Sequence, residues 1–170
     1  MKKLYTGLFC AFALLTTPIN ADTDSPDLRL SKLVAYDPYN WKEIEKALND
    51  GAYTGQFKGG YMGSGINTLQ AFIEGVVKYT YPTTKRHPDV FPIKSLRILL
   101  ASPDANPLEE CNVVGQYQEV THYPSLYDTL KKLASEPKTH AKYQEALEIV
   151  EEWIENKKRE EEIELAKKYS

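Results

Sequence analysis

Apolar residues along this chain recur mostly at helical spacing, between clusters of turn-forming residues. After a polar leader from Asp22 to Pro26, the residues Leu28, Leu30, Leu33 and Val34 open a helix-like pattern. Asp37-Pro38-Tyr39-Asn40 is a turn cluster, and Asn40 stands where a side-chain cap for the next helix is expected. Trp41, Ile44, Ala47 and Leu48 mark one face of that helix, and Asp50-Gly51 supplies a glycine just past its end. Tyr53 to Gly65 holds five glycines in thirteen residues and reads as a loop or hairpin. Helical pattern resumes at Asn67 and runs towards Val77. Tyr81 to Pro92 carries Pro82, Pro88 and Pro92 and reads as a loop. A short apolar helix is expected over Ile93–Leu100, stopped at Pro103. Asp104 to Thr121 is irregular, with room for a short hairpin. Pro124 to Leu133 is amphipathic, with Leu126, Leu130 and Leu133 on one side. Glu136-Pro137-Lys138 breaks it, and a long last helix runs from about Ala141 to Lys168. The order is helix, turn, helix, long loop, repeated, which predicts an all-α chain of stacked helix-turn-helix pairs with long inserted loops and a long C-terminal helix.

The first residues carry a different pattern. Met1-Lys2-Lys3 is a positive start, Gly7 to Leu15 is an unbroken apolar run, and Thr16-Thr17-Pro18 breaks it before Ile19-Asn20-Ala21. This is the order of a secretory signal peptide, with cleavage expected after Ala21. The run is about half of the roughly 20 residues that a membrane span needs. Cys10 is a poor lipoprotein anchor, because it lies early and bulky Phe9 precedes it. The expected organisation is therefore a signal peptide over 1–21, a helical-repeat domain over 22–156 and a charged helical extension over 157–170. The mature chain is expected in the periplasm or outside the cell, with no membrane span.

Composition narrows the picture further. Of 170 residues, 42% are hydrophobic and 26% charged, and the net charge is −3, which fits a soluble globular protein. Removing Lys2 and Lys3 with the signal peptide takes two of the 21 basic residues and none of the 24 acidic ones. That balance excludes the basic surface of a typical nucleic-acid binder. Cys111 is the one cysteine beyond the leader, so no internal disulfide is available. A single thiol is either a small buried residue or a link between chains.

The second helices align by their ends, through the apolar pairs Ile44/Leu48, Leu96/Leu100 and Val150/Ile154. The first helices align through Thr68-Leu69-Gln70-Ala71 and Pro124-Ser125-Leu126-Tyr127. Leu48-Asn49-Asp50-Gly51-Ala52 and Leu99-Leu100-Ala101-Ser102-Pro103-Asp104-Ala105-Asn106 resemble the end of the second helix in the ankyrin-repeat family. The resemblance spans about Leu30 to Asn156. The steps from Leu48 to Leu100 and on to Ile154 exceed that family's period of roughly 33 residues. Insertions at Thr80–Pro92 and Leu108–His122 account for the excess, and no complete Thr-Pro-Leu-His is present. The resemblance implies stacked helix pairs that present loop tips and first helices to a protein partner.

The sequence carries little catalytic or ligating chemistry. The glycine-rich segment Gly55 to Gly65 lacks the Gly-Lys-Ser/Thr that opens a phosphate loop. His87, His122 and His140 have no metal-ligand partners at helical spacing. Cys111 and His122 are a weak candidate for a nucleophile and base. Gly63-Ser64-Gly65 lacks the spacing of a nucleophile elbow. No catalytic residue, cofactor or metal site is therefore expected. Tyrosines on loops are the one hint of a recognition surface, since aromatic side chains give large contact area with few rotors. The expected partner-binding residues are Tyr53, Phe57, Tyr61, Met62, Tyr117 and Tyr123. The expected function is an exported module that binds another protein. A small exported enzyme with an unrecognised site, and a structural envelope protein whose charged tail joins other subunits, are the rival readings.

Overall fold

The structure, a computed structural model, describes residues 25–55, 65–78, 90–114 and 120–169. The expected signal peptide, with Phe57, Tyr61, Met62 and Tyr117, lies outside the described residues.

The described residues form six helices and one two-stranded hairpin: α1 (Pro26–Tyr36), α2 (Trp41–Asn49), α3 (Thr68–Lys78), α4 (Ile93–Leu100), β1 (Cys111–Val114), β2 (Val120–Tyr123), α5 (Leu126–Ser135) and α6 (His140–Lys168). The chain is mostly helical. No described helix is long and apolar enough to cross a membrane.

Local chemistry sets the ends. The Ser25 hydroxyl accepts the Leu28 N–H at 3.3 Å, and Pro26 occupies the first helical position, where no N–H is needed. α2 closes with a Schellman motif. Gly51, at φ 93°, donates its N–H to the Leu48 carbonyl, and Ala52 donates to the Ala47 carbonyl at 3.0 Å. A glycine is favoured there because a side chain costs about 1–2 kcal/mol in the left-handed region. Ser125 caps α5 by accepting the Asp128 N–H, while its hydroxyl donates to the Asp128 carboxylate at 2.7 Å. Asn40 departs from expectation. It sits at the start of α2 but makes no side-chain cap, because its amide turns back to the Asp37 carboxylate at 3.1 Å.

The helices pack in two rows. α1 lies on α3 and α3 on α5, while α2 lies on α4 and α4 on α6. The short turns at both ends join the rows, so α1 also packs on α2 and α5 on α6. α3 and α4 do not form a closely packed hairpin as the pairing predicts. Their connection is long enough to leave each free to pack within its own row. Aromatic rings bridge the rows instead: Phe91 meets Phe72 edge-on at 5.8 Å and Tyr143 at 5.7 Å.

Leu30, Ile44, Leu69, Phe72, Ile73, Leu96, Leu99, Leu130 and Val150 are buried in one core. Of the aligned apolar pairs, Ile44, Leu96, Leu100 and Val150 are buried, but Leu48 and Ile154 are only half-buried. Alignment by helix ends therefore does not place all six at the same depth. Leu48 and Ile154 pack against the cluster at its rim, because each falls near the last buried turn of its helix. Beyond Ile154, α6 runs on through Lys168 with every described residue exposed.

Candidate interaction surface

The connections that follow α2 and α4 meet at one edge of the molecule. Once the Schellman motif releases the chain, the Tyr53 N–H donates to the Asp27 carboxylate in the first turn of α1, at 2.7 Å. The Thr54 carbonyl accepts the Thr68 N–H, which ties the root of the loop to its far end. The Thr54 and Ser102 hydroxyls share a hydrogen bond at 2.8 Å, so the first connection is fastened to the second. The Tyr53 ring lies over the Cα of Gly55.

Asn67 makes the second fastening. Its side-chain oxygen accepts the Gln70 N–H at 2.8 Å and caps α3. Its amide nitrogen donates to the Glu109 carboxylate at 3.2 Å, and its backbone N–H donates to the Cys111 sulfur at 3.4 Å. Gly65, at φ 98°, passes directly beneath the Asn112 carbonyl.

The hairpin projects from this junction. In its register Cys111 pairs with Tyr123 and Asn112 with His122. Adjacent strand residues face opposite sides, so Cys111 and Val113 turn to the core while Asn112 and His122 turn outward. His122 meets the Asn112 side-chain oxygen at 3.2 Å and stands 3.8 Å from the Glu110 carboxylate, exposed. Cys111 is fully buried as a free thiol. Burial pushes that thiol above its ordinary range. The Asn67 N–H opposes the shift, and the Glu109 charge adds to it. Cys111 and His122 therefore lie on opposite faces of the hairpin, which is not the geometry of a nucleophile and its base. Among the described residues, no three His, Cys, Asp or Glu side chains converge on a metal-sized site.

The connections after α2 and α4 carry exposed apolar side chains. Tyr53 is 49% exposed, Leu108 48% and Val120 65%. Of the expected contact residues, Tyr53 stands at this edge, and Tyr123 is half-buried with one side on the core. Leu108 and Val120 lie outside the expected set. Leu108 follows Pro107 in irregular sequence that gives no sign of its exposure. Val120 alternates with Thr121 on a strand of only four residues, too short for a clear period-two pattern. No family model, curated protein or solved structure matches the chain.

Proposed function

We propose that this chain is an exported protein-binding module, built as a short ankyrin-like stack, that offers its paired inter-helix loops to another protein and performs no catalysis. The observation that carries this reading is the hydrogen bond between Thr54 and Ser102. Both residues lie in the connection that follows the second helix of a pair, Thr54 after α2 and Ser102 after α4, and their contact sets the two loops side by side. Such lateral placing of equivalent loops is what translated copies of one helix pair produce. The two rows, α1-α3-α5 and α2-α4-α6, support the same arrangement. Exposed Tyr53, Leu108 and Val120 give that edge contact area of the kind that marks recognition surfaces. The leader from Lys2 to Ala21 supports export.

The test is recovery of partners from envelope and extracellular extracts by the chain and by a variant carrying Tyr53→Ala, Leu108→Ser and Val120→Ser. The variant is expected to melt within a few degrees of its parent and to lose a protein that the parent retains. Equal recovery by both would overturn the assignment of this edge. Protein recovered from the cell is expected to begin at Asp22, and an intact Met1 would overturn export.

A further inference from the structure

We propose that Asp50 is a site of isoaspartate formation, and that the C-terminal cap of α2 gates the reaction. Aspartate and asparagine rearrange through a succinimide, in which the next backbone nitrogen attacks the side-chain carbonyl carbon. A glycine in the next place leaves that nitrogen unshielded. Asp50-Gly51 is the one place in this chain where either residue precedes a glycine. Both residues are exposed. The space beside the Gly51 Cα is open, since a methyl group built there would meet no atom within 4 Å.

The reaction needs only the chain and water. The Gly51 nitrogen bonds to the Asp50 Cγ. The carboxyl group, as its acid, gives up its hydroxyl, which leaves as water with the amide proton. Water then opens the ring. Attack at Cγ restores aspartate. Attack at the main-chain carbonyl carbon leaves isoaspartate, whose backbone runs through the side chain and is one methylene longer.

The folded chain holds this site in the wrong geometry. The five-membered ring needs the Asp50 Cβ nearly eclipsed with the Gly51 nitrogen. Asp50 has ψ 2°, so its own nitrogen stands in that place and its Cβ is turned away. Bringing Cβ round turns the Gly51 peptide about the Cα–C bond. That turn pulls the Gly51 N–H from the Leu48 carbonyl at 2.9 Å and the Ala52 N–H from the Ala47 carbonyl at 3.0 Å. The Asp50 carboxylate is also tied to the Arg29 guanidinium of α1 at 3.0 Å. Ring closure therefore runs from the opened cap, a local opening short of global unfolding.

The product does not fit back. An added methylene between α2 and Tyr53 puts Gly51 and Ala52 out of register with the Leu48 and Ala47 carbonyls. It also displaces the Tyr53 N–H, which donates to the Asp27 carboxylate at 2.7 Å. One opening of this corner is thereby made permanent, at the root of the connection that carries Tyr53.

The experiment incubates the full chain, folded and in urea, in water enriched in heavy oxygen. Peptide mapping then follows the label and the isoaspartate at each aspartate, so that rings returning to aspartate are counted too. In urea, Asp50 is expected to take up label faster than any other aspartate. In the folded chain its rate is expected to fall at least about tenfold, the factor by which the closed cap outweighs the open one. Arg29→Leu keeps an apolar stem and releases the carboxylate. At a temperature where circular dichroism shows that variant folded, it is expected to raise the folded rate about two- to fivefold, the worth of an exposed ion pair, and to leave the rate in urea unchanged. Asp50→Glu should abolish the label at this place, because its ring would be six-membered. Label at residue 50 no greater than at the other aspartates in urea, or label that persists in Asp50→Glu, would remove the site. Equal rates in the folded and unfolded parent, or a folded rate that Arg29→Leu leaves unchanged, would overturn the gate.

Discussion

Gly75 of α3 packs directly on the carbonyl oxygen of Val34 in α1, and a methyl group built on its Cα would overlap that oxygen and press on the Ala35 carbonyl. Both obstacles are backbone, so neither can swing aside. Gly75→Ala gains up to about 1 kcal/mol of helix propensity, but α1 must lift from α3 to admit the methyl. Overpacking of this kind costs about 1–3 kcal/mol, so a net loss is expected in urea unfolding followed by circular dichroism. Equal or greater stability would show that the two helices do not approach so closely.

Truncations along the aligned positions should fall into an order that burial dictates. Leu96 is fully buried and Leu100 is 5% exposed, while Leu48 is half-buried at the core rim. Leu96→Ala and Leu100→Ala are expected to cost about 2–5 kcal/mol, and Leu48→Ala clearly less, because part of its surface already meets water. Unfolding midpoints of the three variants check this. A cost for Leu48→Ala equal to the other two would place it in the core after all.

How far the sequence announces this structure depends on where the determining forces are local. The helix over Ile93–Leu100 is legible to the residue because Pro92 and Pro103 bracket it. The stop after α2 is legible because Asp50-Gly51 suits a left-handed turn. The start of α1 is less so: the apolar pattern begins at Leu28, but Ser25 and Pro26 start the helix earlier. Arrangement is harder. The periodicity suggests three helix pairs, yet nothing in the local pattern says that α3 and α4 pack better within their rows than on each other. The candidate surface is legible only in Tyr53, an aromatic on a loop. Leu108 and Val120 are exposed, and Tyr123 half-buried, through how the hairpin sits on the body, a tertiary matter. The charges of α6 can be read in the sequence as a solvated face.

The buried thiol makes a prediction for alkaline pH. Burial raises the folded pKa of Cys111 above its ordinary value near 9.0, so the native state holds the proton longer than the unfolded chain. Its contribution is complete below the unfolded pKa and is lost as pH climbs through the folded one. Tyr39 and Tyr143, also raised by burial, act in the same sense above about pH 10. Stability is expected to be flat near neutrality and to fall from about pH 9 upward. In Cys111→Ala the first part of that fall should shrink, while the part due to the tyrosines persists. Unfolding series across this range decide it, and an unchanged profile in the variant would refute the burial argument for this thiol.

Gln70 supplies the last prediction, at the root of the candidate surface. It is 1% exposed, and neither atom of its side-chain amide meets a hydrogen-bond partner among the described residues. A glutamine in the third position of a helix often reaches back to the N–H of the capping residue. Here that N–H, on Asn67, is turned to the Cys111 sulfur. A buried amide left without a hydrogen bond costs about 1–3 kcal/mol. Gln70→Met nearly keeps the volume and removes both polar atoms, so it should stabilise the chain by about 1 kcal/mol or more. Gln70→Ala removes the amide as well but leaves a cavity, so it should fall below Gln70→Met. Both follow from the same unfolding measurement. Destabilisation by Gln70→Met of about 1 kcal/mol or more would mean that the amide is hydrogen-bonded in solution, and that the packing at the start of α3 is other than described.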